Sequence, residues 1–237
     1  MSNSTKANSS LTPAKRQLLA MLRKQQGVEA EASLRIPRRS VEGPCALSFA
    51  QQRLWFLDQL EPGGYAYNMP VVVRISGDLN VELLERSLNE IIRRHETLRT
   101  SFTVARGVPA QAVAPDLSLT VELVDLRHLP ESEGDEEVRC RSVAAARQPF
   151  DLGRAPLLRA QVLRLDEAEF VLLLTLHHII SDGWSMGVLI QEITTLYRAY
   201  SEGRVSPLPE LAVQYADFAL WQRERLQGQV LEDLLAY

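Results

Sequence analysis

Two adjacent histidines, His177 and His178, close an apolar run in "LTLHHIISDGWS", residues 174 to 185, with Asp182, Gly183 and Trp184 just beyond. An imidazole can take up and return a proton near neutral pH, and the free N–H groups that open a helix can hold a developing negative oxygen. Together with a carboxylate, that set suits acyl transfer. Successive strand residues point to opposite faces, so the two rings should diverge, one packing into the structure and the other facing a cavity. Ser181-Asp182-Gly183 reads as a tight turn whose glycine lets backbone approach a ligand closely. Trp184 then begins a helix whose N–H groups point back at the turn. No metal is expected, because adjacent histidines diverge and no third ligand stands at helical spacing. A serine nucleophile at Ser181 or Ser185 is disfavoured, since no G-x-S-x-G elbow is present.

The elements that must position this stretch are legible from periodicity. "APLLRAQVLRLDEAEFVLLLTLHH" predicts two strands joined at Asp166-Glu167-Ala168, the second apolar on both parities and so buried on both faces. "GWSMGVLIQEITTLYRAYSEG" predicts a helix with Leu189, Ile193, Leu196 and Tyr200 on one face, stopped by Gly203. Upstream, Val81, Leu84, Leu88, Ile91, His95 and Leu98 share one helical face, which places His95 on that apolar stripe. "LSFAQQRLWFLDQLEPGG" predicts a helix capped by Ser48 with Gln51 completing a capping box. "MPVVVRISG" and "LSLTVELVDL" read as strands, and "TSFTVARGVPAQAVA" as a hairpin turning at Arg106-Gly107. The acidic run "ESEGDEE" suits a solvated loop or a helix start running to about Arg147, and a last helical stretch begins at Gln214. Helices and strands that alternate irregularly predict an α+β fold, a mixed-sheet α/β sandwich.

Composition sets outer bounds. The chain has 237 residues, 46% of them hydrophobic, and a formal charge of −4, which argues against a nucleic-acid surface. No secretory signal opens it, and its longest apolar run, Phe170 to Leu176, is far too short to cross a bilayer; a cytoplasmic protein with no membrane partner is expected. Cys45 and Cys140 form no paired motif and are expected to be buried free thiols. Residues 1–43 divide into an amphipathic helix at 11–26, a possible docking segment, and a proline-bearing linker, with the globular part from 44 to 237.

"HHIISDGWS" matches the HHxxxDG signature of the condensation domains of nonribosomal peptide synthetases, and "LSFAQQRLWFLDQLEPGGYAYNMP", "RHETLRTSF" and "YADFALWQRE" match further family stretches in order. The chain resembles the N-terminal lobe of that domain, whose fold is shared with chloramphenicol acetyltransferase. The signature alone is shared with epimerisation domains and other acyltransferases of the superfamily, which remain the alternative. A cyclisation domain would carry aspartates in place of the histidines. "HHIISDGWSMGVL" leans toward the subtype that joins two L-configured residues.

The resemblance implies amide-bond formation between a donor acyl and an acceptor aminoacyl thioester, each held on the phosphopantetheine arm of a peptidyl carrier protein; no cofactor is bound directly. It makes His178 catalytic. An α-ammonium has a pKa of about 8, so a modest acceptor can orient the amine and collect its proton. Backbone N–H near Gly183 would stabilise the oxyanion. His177, Trp184 and Asp182 would support the site, Asp182 through an ion pair with Arg94 or Arg99. The expected partners are upstream and downstream carriers, adjacent synthetase modules and a C-terminal lobe toward which residues 205–237 lead and which the chain lacks. A non-catalytic interaction module is the reading of a different class.

Overall fold

The computed structural model describes residues 35–40, 43–228, 231–232 and 236. The chain divides into residues 1–37 and residues 38–237, and the expected helix at 11–26 lies outside the described residues. Within the second unit the elements run β1 (Cys45–Ala46), α1 (Phe49–Leu60), β2 (Asn68–Ser76), α2 (Val81–Arg94), a 3-10 turn (Glu96–Arg99), β3 (Thr100–Ala105), β4 (Val108–Val113), β5 (Glu122–Asp125), α3 (Glu131–Arg147), β6 (Leu158–Asp166), β7 (Glu169–His177), α4 (Gly183–Ser201) and α5 (Tyr215–Arg225).

The main sheet has the order β2-β7-β6-β5, antiparallel except for the parallel β5–β6 pair. A second sheet, β1-β4-β3, is antiparallel throughout. β7 is central and buried along nearly its whole length, and its parity divides the core. Phe170, Leu172, Leu174 and Leu176 join Leu84, Leu88 and Ile91 of α2 and Leu189, Ile193 and Leu196 of α4 in one cluster. Val171 and Leu173 belong to a smaller cluster with Leu163, Leu126 and, from α3, Val138. Helices thus cover both sides of a mixed sheet, as the double-parity pattern requires. Each fully buried leucine contributes about 1.5–3 kcal/mol, which is what holds the far end of β7 in place.

Local signals mostly agree with sequence expectation. Ser48 caps α1 with the full capping box to Gln51. Arg106 and Gly107 both take positive φ, 53° and 78°, the conformation a two-residue hairpin turn demands. The acidic run becomes the first turns of α3, where carboxylates suit the exposed N–H groups.

Three expectations are corrected. His95 is not part of the helical stripe: α2 ends at Arg94, and His95, at φ −100° and ψ 99°, turns the chain into the 3-10 segment that carries Leu98. Of the two free thiols, Cys140 is exposed on the outer face of α3 and Cys45 is only partly buried on the edge strand β1. The last helical stretch is interrupted: α5 stops at Arg225, and Gly228 takes a positive φ of 52°. In the segment read as a linker, Arg39 is held by Asp217 of α5 at 3.1 Å and by Glu96 at 2.6 Å.

Candidate functional site

His177 and His178 separate as strand geometry requires. His177 is the last residue of β7, opposite Asn68 of β2, and only 4% exposed. Its Nδ1 accepts the Ile179 N–H at 3.1 Å, and the rings of Phe150 and Tyr67 lie about it with centroids at 6.2 and 6.3 Å. Burial, with a smaller push from His178, lowers its pKa from 6.5 to about 4, so the ring is neutral and structural. The unfolded chain takes up a proton near pH 6.5 that the folded chain refuses until near pH 4, so stability falls as pH drops through that window. Between pH 7 and pH 5 this group alone should remove about 2 kcal/mol. Urea titrations of the parent and His177→Asn, which keeps an acceptor near the Nδ1 position, should differ in pH dependence by that amount; identical slopes would contradict it.

His178 lies one residue past the strand. Its backbone N–H donates to Tyr67 O at 2.8 Å, extending the ladder by one bond, and the chain then turns through Ile180 N–H to His177 O at 3.1 Å. The side chain is exposed, and its Nδ1 donates to the Ser181 carbonyl at 2.7 Å. A carbonyl can only accept, so Nδ1 carries the proton and Nε2 is left as a bare acceptor. Among the described residues Nε2 has no partner. The loop's own backbone thus holds the neutral ring in one tautomer.

Asp182 caps α4: its Oδ1 accepts the Ser185 N–H at 2.8 Å and the Ser185 hydroxyl at 2.6 Å, and these bonds lower its pKa. The expected ion pair to an arginine is not formed. Arg94 is buried and bound instead to Glu192 at 3.2 Å and to the Pro209 carbonyl, while Arg99 donates to the carbonyls of Ala114 and Pro115. An exposed N-cap already satisfied by helix N–H groups needs no cationic partner. Asp182→Ala should therefore cost about 1 kcal/mol, the usual loss for a cap. A loss of about 3 kcal/mol or more in denaturant unfolding, on the scale of a broken buried pair, would restore the ion-pair account.

Gly183 is the first residue of α4, without positive φ, and a Cβ there would meet nothing within 4 Å. Neither the turn nor a neighbour requires glycine, so what the residue leaves is clear space beside the start of α4. Trp184, expected to support the site, is 86% exposed and packs on little of this chain.

Beside the His178 turn lies an open cavity of about 210 Å³ between the end of α2, Leu176 of β7 and the first turns of α4. Ile91, Leu98, Ile180, Met186 and Leu189 make it largely apolar, and His95, Thr97, Ser181 and Ser185 supply its polar positions. Ser181 Oγ is buried with no hydrogen-bond partner among the described residues. The turn thus brings together His177, His178, Asp182, Gly183 and Trp184, whereas Arg94 and Arg99 serve other contacts. Sequence reasoning missed the Ser181 carbonyl, which no side chain encodes, and Glu192, whose signal was a carboxylate beside Leu189, Ile193 and Leu196 on an apolar helical face. Among the described residues no cluster of three or more His, Cys, Asp or Glu is arranged to hold a metal, and no helix is long and apolar enough to cross a membrane.

A family model described as "Condensation domain" matches residues 41–237. A linear gramicidin synthase of Brevibacillus parabrevis is 47% identical over 220 residues, covering 93% of this chain and 3% of that protein. Chondramide synthase cmdD of Chondromyces crocatus is 48% identical over 218 residues, 92% of this chain and 6% of that one. The X-domain from teicoplanin biosynthesis superposes with a TM-score of 0.75 at 29% identity, covering 85% of this chain and 44% of that structure. The first condensation domain of the calcium-dependent antibiotic synthetase superposes with a TM-score of 0.72 at 23% identity, covering 80% and 45%, a likeness of fold alone. The chain thus spans a few per cent of these curated relatives and just under half of these solved chains.

Proposed function

The chain belongs to the condensation-domain family, and on that premise we propose that it supplies the His178-bearing lobe of a nonribosomal peptide synthetase domain that joins a carrier-bound donor acyl group to a carrier-bound acceptor amine. The observation that supports this most is the clamp on His178: with Nδ1–H spent on the Ser181 carbonyl at 2.7 Å, Nε2 is the atom available to an incoming amine. The acceptor nitrogen attacks the donor thioester carbonyl, the C–N bond forms, the C–S bond breaks, and the proton lost by the amine reaches the departing thiolate through Nε2. Holding the amine in line supplies more of the rate than proton removal, because an α-amine is only moderately basic to begin with. The Gly183 N–H, which the Asp182 cap does not take up, would face the position where negative oxygen develops. The substrates reach the site on phosphopantetheine arms of upstream and downstream carrier proteins, and adjacent modules hold those carriers.

A second lobe would cover the open cavity and the exposed Trp184, excluding water and aligning the two arms. Its absence would leave an apolar surface that favours self-association. The segment 1–43 would serve as a docking and linker region ahead of the lobe at 44–237. The test is the intact mass of the acceptor carrier after mixing donor-loaded carrier, acceptor-loaded carrier and this lobe together with its complementary lobe. A gain equal to the donor acyl group is expected. No gain would contradict the reading, as would a change of configuration at unchanged mass, the mark of epimerisation.

A non-catalytic interaction role is the second reading, prompted by the 29% identity to the X-domain, which has been solved in complex with OxyB. No transfer by the assembled domain, with binding to a partner protein retained, would favour it.

A further inference from the structure

The wall of the cavity holds a second histidine with a fixed tautomer. His95 Nε2 lies 2.8 Å from Glu192 Oε2, and the other oxygen of that carboxylate is 3.2 Å from Arg94, whose side chain is 2% exposed. An ionised carboxylate can only accept, so His95 donates from Nε2 and, in the neutral ring, keeps a lone pair on Nδ1. The ring lines the cavity with 22% of its side chain accessible, and Nδ1 has no partner among the described residues. Ile91, Leu98, Met186 and Leu189 make most of the remaining lining apolar, with Thr97, Ser181 and Ser185 as its other polar residues. An apolar cavity of about 150 Å³ holds a benzene ring, so the about 210 Å³ here accommodates a ring with a polar tip.

We propose that this cavity is a side-chain subsite for one of the two aminoacyl substrates, selecting an apolar, ring-sized side chain that carries a hydrogen-bond donor, with His95 Nδ1 as the acceptor that reads it. The inference rests on the reading above, since the cavity shares Ile180 and Ser181 with the turn that carries His178. His95 is a specificity residue that acts on a substrate side chain away from the reacting atoms. Glu192 positions it, and Arg94 holds the other oxygen of that carboxylate.

The test uses binding, so it stands apart from turnover. The N-acetylcysteamine amide analogues of L-tyrosine, L-phenylalanine and O-methyl-L-tyrosine are titrated into the chain, amides being chosen so that nothing is hydrolysed. The tyrosyl probe should bind about 3- to 10-fold tighter than the phenylalanyl probe, the worth of one neutral hydrogen bond, and the O-methyl probe no tighter than the phenylalanyl one. In His95→Phe the tyrosyl preference should disappear. In the unmutated chain the nitrogen-15 signal of His95 Nδ1 should move upfield with the tyrosyl probe and stay in place with the phenylalanyl probe, a readout that needs no variant to fold. Equal affinities, no affinity for either ring, or an unmoved Nδ1 signal would overturn the proposal while leaving the carrier-mass assay of amide formation free to succeed.

Discussion

His178→Ala, placed in the complete domain, is expected to lower the rate of amide formation by about 10²- to 10⁴-fold, the range that a positioned proton acceptor supplies. Its effect on stability should be small, since the ring is exposed and makes one hydrogen bond, to the Ser181 carbonyl. His177→Ala should do the reverse. It opens a hole between Tyr67 and Phe150 and frees the Ile179 N–H, so the melting temperature falls before the chemistry is addressed. Stopped-flow transfer kinetics alongside thermal melts separate the two. Equal rate losses from the two variants, with both melting like the parent, would show that the division of roles between the paired histidines is wrong.

Arg94→Ala should be the most damaging change to stability outside the apolar core, at about 3–5 kcal/mol. The arginine is 3% exposed, ties the end of α2 to Glu192 of α4 and to the Pro209 carbonyl, and its own carbonyl accepts from Gln214 at 2.8 Å. Removal leaves the Glu192 side chain, 11% exposed, with His95 as its one remaining partner among the described residues. Asp182→Ala, by contrast, removes an exposed cap. The ratio of the two losses in urea unfolding distinguishes the observed wiring from the ion pair that the family resemblance implied: a several-fold larger loss at Arg94 is expected, and matched losses would contradict it.

That contrast shows where the sequence was readable. β7 could be placed because both of its parities are apolar, and α4 because Leu189, Ile193 and Leu196 recur at helical spacing; each pattern is a direct imprint of burial. The divergence of His177 and His178 followed from strand alternation alone. The wiring behind the site was not readable, because it joins residues far apart in the chain: Arg94 meets a carboxylate 98 positions away, and Gln214 reaches a carbonyl 120 positions away. The group that fixes the His178 tautomer is a backbone oxygen, which any residue at position 181 would supply. Asp182 was read through the family's expected arginine partner, yet a carboxylate immediately ahead of a helix is first a cap, and the Ser185 N–H and hydroxyl take it up. His95 was assigned to a helix that ends one residue before it, and leaving the helix is what lets its ring reach Glu192.

The central claim is that His178 offers an unprotonated Nε2 because Nδ1–H is committed to the Ser181 carbonyl. Long-range proton–nitrogen correlation of the His178 ring, on the nitrogen-15-labelled chain at a pH where the ring is neutral, reads this directly. A protonated, pyrrole-type Nδ1 and a bare, pyridine-type Nε2 are predicted. The opposite tautomer, with the proton on Nε2, would leave no acceptor for the amine and would contradict the account.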